Sequence, residues 1–84
     1  MNIYYSTKFA KEYKRLPKDV KLLAEEREKI FRKDPFDPKL KAHKLSGRFK
    51  EYYSFSIDYQ YRIIFEFNKK DVWFHSVGTH AIYK

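Results

Sequence analysis

The sequence predicts an α+β fold: an N-terminal strand, a helical hairpin, then a three-stranded antiparallel meander, in the order β-α-α-β-β-β. Three observations carry this expectation. Apolar residues recur at helical spacing in the N-terminal part, whereas toward the C-terminus they alternate with polar ones. Between the two regions lies DPFDPKLKAHKLSG, whose prolines and glycine mark a loop.

Asn2 to Tyr5 (NIYY) is short and β-prone, the first strand. Ser6 offers its hydroxyl as the N-cap of the first helix. Phe9, Tyr13 and Leu16 fall at i, i+4 and i+7, one face of a short helix. Pro17 interrupts it, because proline lacks the N–H that a continuing helix needs, yet it suits the first turn of a new one. That second helix is expected to run to about Arg32, with a stripe of Val20, Leu23, Ala24, Ile30, Phe31 and the stem of Arg27. In the C-terminal part Tyr53, Phe55 and Ile57 alternate with Ser54 and Ser56, the period of a half-buried strand. A tight turn at Asp58-Tyr59-Gln60 precedes Tyr61, Ile63, Phe65 and Phe67, which alternate with Arg62, Ile64 and Glu66. NKKD supplies turn chemistry before the last strand, DVWFHSVG. The helices are expected to cover one face of a mostly antiparallel sheet.

The 84 residues fit one domain, 1–84, near the lower limit for a self-sufficient core. Without cysteine, no disulfide or thiolate–metal cluster reinforces it. The 20% of aromatic residues compensates, since each buried Phe or Tyr removes roughly 150–250 Å² from water. MNIYYSTKFAKEYKR turns charged too early for a signal sequence, and no apolar run approaches a membrane span. A soluble, cytoplasmic protein with no membrane association is expected. Nineteen Lys and Arg against eleven Asp and Glu leave a net charge of +8, which favours nucleic acid or an acidic protein as partner.

Several chemistries are excluded. Gly47 and Gly78 are too few for a phosphate-binding glycine loop. His43, His75 and His80 lack the spacing of a zinc site, and no carboxylate cluster suits magnesium, so no metal or cofactor is expected. His75, between Trp73 and Val77, reads as a packing residue. Arg62 stands out on a strand whose alternate residues are apolar, which turns it toward the open face of the sheet. There it is either a solvated arginine or a guanidinium set to fork onto phosphate, and spacing leaves both open. The terminal GTHAIYK places His80, Tyr83 and Lys84 where chains are ordinarily expendable.

HKLSGRFKEYYSFSIDYQYRIIFEF followed by VGTHAIYK resembles the RelE/ParE superfamily of toxins from type II toxin–antitoxin modules. The matching parts are His43-x-Leu45-Ser46-Gly47, the YYSFSI strand, Tyr61 to Phe65, and terminal Gly78-Thr79-His80 with Tyr83; STKFAKEYKRLP is similar to the family's helical hairpin. The motifs come closest to the branch of RelE- and YafQ-like mRNA interferases. The resemblance implies a metal-independent endoribonuclease that cleaves mRNA, usually on the ribosome, and is neutralised by a cognate antitoxin. It implies a site in which His80 is general acid or base, Arg62 stabilises the transition state, and Tyr83 stacks on a base or binds phosphate. His43, with Lys39, Lys41, Lys44 and Arg48, would flank the site and hold RNA. Where relatives carry an acidic residue and one more spacer after Gly-Thr-His, Ala81 follows here and Tyr83 comes one position early. Lys39 occupies the region where some relatives have a carboxylate base, which leaves His43 or a lysine for that role. Two other activities fit the superfamily: inhibition of DNA gyrase, as in the ParE branch, and antitoxin binding without catalysis.

Overall fold

The computed structural model describes residues 1–83; Lys84 lies outside the described residues. Strand β1 (Ile3–Tyr5) leads into helices α1 (Thr7–Lys14) and α2 (Lys18–Lys33). Strands β2 (His43–Lys44), β3 (Tyr53–Ser56), β4 (Arg62–Asn68) and β5 (Asp71–Gly78) come next. They form one five-stranded sheet in the order β1-β5-β4-β3-β2. The expected α+β order is present, with two differences. The sheet is mixed, because β1 lies parallel to β5, from Ile3 opposite Val72 to Tyr5 opposite Phe74. No hairpin joins these two strands, so no turn forces them antiparallel. The stretch expected to be loop also contributes β2, which pairs His43 with Ser54 and Lys44 with Tyr53. Two residues are too few to display a period.

Local chemistry explains the helix ends. Ser6 Oγ accepts from Phe9 N at 2.9 Å, capping α1, and donates to the carbonyl of His75 at 2.9 Å, tying the cap to β5. Pro17 is the N-cap of α2, and its carbonyl accepts the first helical bond, from Lys21 N at 3.0 Å. Asp19 in the first turn and Arg32 and Lys33 in the last complement the helix dipole. Asn68 pairs with Asp71 across the β4–β5 turn, where Lys69 takes φ 60°.

The core occupies one face of the sheet. Phe31 of α2, fully buried, stacks on Phe55 at 5.1 Å and meets Phe65 and Phe74 edge-on at 4.9 and 5.3 Å. Val20 and Ala24 extend the contact along α2, and Phe9 and Leu16 come from the first helical segment and its end. Each such Phe contributes about 1.5–3 kcal/mol through burial. Arg27 belongs to the stripe by its stem, as expected, and its Nε donates to the carbonyl of Ile57 at 3.1 Å. The opposite face is only partly covered: at the β5 margin Ser76 Oγ donates to Glu12 Oε1 of α1 at 2.7 Å, and the 3-10 turn His80–Tyr83 reaches Ser54. No helix of the described residues is long and apolar enough to cross a membrane.

Candidate functional site

Register fixes what the open face presents. Ser56, Arg62 and Gly78 lie side by side across β3, β4 and β5; Ser54, Ile64 and Ser76 form the next row. Residues directly opposite one another share a face, so Arg62 points away from the helices as its alternation requires. Its Nη1 donates to Ser56 Oγ at 2.7 Å, and the side chain is half-buried. The guanidinium is therefore anchored at one nitrogen, with the rest of its fork left to engage an anion.

The serines differ from expectation. A half-buried strand would leave Ser54 and Ser56 wet, yet their exposures are 0% and 7%. Arg62 reaches Ser56, and the chain's end reaches Ser54. His80–Tyr83 forms a single 3-10 turn rather than a strand's continuation, and the Tyr83 hydroxyl shares a 2.7 Å hydrogen bond with Ser54 Oγ. The turn packs closely at Gly78: a Cβ there would meet Ile82 Cγ2 at 2.7 Å, nearer than carbon atoms pack. The rings of His80 and Tyr83 are 5.9 Å apart. His43 arrives from the far side, because its Cα pairs with Ser54 in the β2–β3 ladder. Its Nδ1 lies 3.2 Å from the carbonyl of Lys41.

Arg62 and Tyr83 thus reach the two serines of β3, while His43 is placed beside Ser54 by register and the His80 ring lies next to that of Tyr83. Among the described residues no hydrogen bond joins Arg62 to His80 or Tyr83; the serines stand between them as separate anchors. The basic residues are less concentrated. Lys39 lies in the 3-10 turn Pro38–Leu40, and Lys41, at φ 52°, closes that turn. Lys44, opposite Tyr53, is at a register position of the helix-covered face. Arg48 lies over the Phe49 ring at 5.1 Å, and Phe49 in turn is 6.5 Å from the Tyr83 ring.

Sequence alone missed a second cluster on this face. The β4–β5 register slips between Ile64 and Phe65, which face Ser76 and Phe74 and leave His75 as the extra residue. Such a bulge re-aims the side chain it carries. His75 Nε2 donates to Glu66 Oε1 at 2.7 Å, and its ring lies against Trp73 and Tyr52. The signal in the sequence was WFH opposite FEF, but pairing it requires the register. The residue expected only to pack is held by a carboxylate.

A hollow of about 600 Å³ lies elsewhere, between the helices, and is lined by Tyr5, Phe9, Tyr13, Ala24, Glu28 and Arg32. Its polar groups satisfy one another. Tyr5 donates to Glu28 Oε2 at 2.8 Å, and Arg32 Nη2 reaches the same oxygen at 3.3 Å. Burial raises the Tyr5 phenol above its ordinary range, and the Glu28 carboxylate adds to the shift. Among the described residues no imidazole lines this hollow, so the open face is the better candidate for proton-transfer chemistry.

Comparison with known proteins agrees with the fold. A family model described as "Bacterial toxin of type II toxin-antitoxin system, YafQ" matches residues 1–83. Among solved structures, YafQ from E. coli strain BL21(DE3) is similar at 23% identity and TM-score 0.82, covering 98% of this chain and 96% of that one. The E. coli DinJ-YafQ complex gives 27% identity and TM-score 0.70, with coverages of 96% and 94%. The YoeB/ParE toxin from Agrobacterium tumefaciens shares 15% identity at TM-score 0.79, with coverages of 95% and 99%. No curated protein matches.

Proposed function

Because the chain belongs to the YafQ family of bacterial toxins from type II toxin–antitoxin systems, we propose that it cleaves messenger RNA on the ribosome, without a metal ion. The observation that carries this is the pair of anchors on β3: Arg62 held to Ser56, and the His80–Tyr83 turn held to Ser54, on the face turned away from the phenylalanine core. In the reaction the 2′-oxygen bonds to the adjacent phosphorus while the bond from phosphorus to the 5′-oxygen breaks. The products are a 2′,3′-cyclic phosphate and a 5′-hydroxyl. One group must take the 2′-proton, another must supply a proton to the departing 5′-oxygen, and a cation must stabilise the charge on phosphorus.

Arg62 is the cation, supported on a strand and by a short hydrogen bond, so little reorganisation is needed at the moment of reaction. His80 is one proton carrier, and His43, entering beside Ser54, is the other. Tyr83 positions the terminal turn and offers a ring and hydroxyl beside the phosphate. The net charge of +8 draws the polyanion in. The physiological partner is an antitoxin, as DinJ is for YafQ, and the place of action is the cytoplasm, where translating ribosomes are.

Primer extension on cellular mRNA after induction tests this. Discrete new ends inside translated regions are expected, and Arg62→Ala should reduce them by roughly 10²–10³ in rate. Intact RNA accompanied by double-strand DNA breaks would replace the nuclease with a gyrase inhibitor. Intact RNA and DNA with retained antitoxin binding would leave a non-catalytic protein.

A further inference from the structure

The open face carries a run of rings that the proposed cleavage chemistry does not use. Tyr4 of β1 stacks on Trp73 at 5.1 Å; Trp73 stacks on His75 at 6.4 Å; Tyr52 meets His75 edge-on at 5.1 Å. The run continues from Tyr52 to Phe49 at 6.4 Å and from Phe49 to Tyr83 at 6.5 Å, where it reaches the terminal turn. It crosses from the β1 edge of the sheet to the candidate cleavage site without a break. Tyr4 is 42% exposed, and Trp73, His75 and Tyr52 are half-buried, so the rings are supported by the sheet and still open to solvent.

We propose that Tyr4, Trp73, His75 and Tyr52 form a base-stacking platform for single-stranded RNA flanking the scissile phosphate. The inference rests on the nuclease reading for the identity of the polymer and adds where its neighbouring bases go. Three features select RNA over an apolar partner. Stacked and edge-on aromatic rings are sequence-tolerant surfaces for bases, because every base has a π-face. The chain's +8 charge complements a polyphosphate, and the Arg48 guanidinium sits on the Phe49 ring, next to Tyr83 at the site end of the run. The third feature is the Glu66–His75 pair. A carboxylate only accepts, so Nε2 is the donor at 2.7 Å. An imidazole fixed in this way keeps its orientation without rearrangement. Glu66 is thus a positioning residue, acting through His75.

Trp73 is the sole tryptophan, so its fluorescence reports on the platform directly. The probe is a short 2′-O-methylated oligoribonucleotide of mixed sequence, which cannot be cleaved by 2′-attack, titrated at low salt. Binding should quench Trp73 emission. The same strand with abasic residues in place of its bases should bind about tenfold or more weakly and leave emission unchanged. Tyr52→Leu and Tyr4→Leu should each weaken the intact oligonucleotide several-fold, with little effect on the abasic one. Glu66→Gln, which can still hold the ring, should retain most of the quench, whereas Glu66→Ala should lose it. The abasic comparison uses the unaltered protein, so a variant that fails to fold does not affect it.

Binding measured by anisotropy with no change in Trp73 emission would overturn the proposal. So would equal affinity for the intact and abasic strands. If the intact strand fails to bind but a helical protein partner quenches Trp73, the platform is a protein interface instead. Quenching in a protein that cuts no message would leave the platform standing and defeat the nuclease. Cleavage without quenching would do the reverse.

Discussion

The two faces of the sheet are built from the same strands, one residue out of phase, and they do opposite work. Phe55, Ile63, Phe65 and Phe74 point toward the helices and are closed over by Phe31. Ser54, Ser56 and Arg62 alternate with them; Tyr83 of the terminal turn reaches Ser54, and Arg62 itself reaches Ser56. On the first face, apolar area removed from water supplies the stability. On the second, polar groups are held at short distances to one another and leave donors unspent. Phe55 sits between the two serines, so the core and the candidate site are separated by a single position along the chain. A small protein can place an exposed active face on a strand because the pleat directs alternate side chains to different solvents.

The largest effect should come from the covered face. Phe31→Ala should cost about 3–5 kcal/mol in urea unfolding, because the ring is enclosed by three sheet phenylalanines and α2 cannot collapse into the space. A loss below about 1 kcal/mol would mean that the helices are not what stabilises the sheet.

The opposite pattern is expected on the open face. His80 is exposed, so His80→Gln should leave unfolding within about 0.5 kcal/mol of wild type. Single-turnover cleavage of a ribosome-bound message should nevertheless fall about a hundredfold or more, since glutamine forms hydrogen bonds but carries no proton near neutral pH. Wild-type cleavage in this variant would make the terminal histidine structural.

Tyr83→Phe tests how clean the separation is. The Tyr83 hydroxyl is the partner of Ser54 Oγ, and Ser54 is fully buried. Removing it strands a buried hydroxyl, at a cost of about 1–3 kcal/mol. The end of the chain is therefore expected to carry stability, more than a stretch of small and polar residues suggests. An unchanged unfolding curve would show that water replaces the phenol.

The sequence disclosed what periodicity controls. The helical stripes, the phase of β3 and β4, and the outward direction of Arg62 come from spacing within one segment. What it withheld depends on contacts between segments. β2 is too short to show a period and exists because His43 and Lys44 meet β3. The parallel placement of β1 is set by where the helices return the chain. His75 became a polar, oriented residue through a one-residue slip that alternation does not reveal. The burial of Ser54 required knowing that the last turn folds back. Resemblance to a family supplied the expectation that the chain's end lies on this face, where Tyr83 meets Ser54; no internal pattern indicated it.

The smallest effect concerns the margin of the covered face, where Tyr5 shows that even the apolar side has a titrating rim. Its phenol is raised above its ordinary value of 10.0 by burial first, then by the hydrogen bond to Glu28 and that carboxylate's charge, with Arg32 opposing. The folded state therefore favours the neutral phenol more than the unfolded chain does. The resulting stabilisation is complete below the unfolded value and is lost as pH rises through the higher, folded one. The tyrosinate difference spectrum between wild type and Tyr5→Phe should accordingly show a transition above pH 10.0. The stability advantage of wild type over Tyr5→Phe should shrink across the same interval. Glu28→Gln removes the repelling charge while leaving the ring in place, so it should move that transition downward. A transition unmoved by Glu28→Gln would assign the whole shift to burial and reduce the Tyr5–Glu28 contact to a surface hydrogen bond.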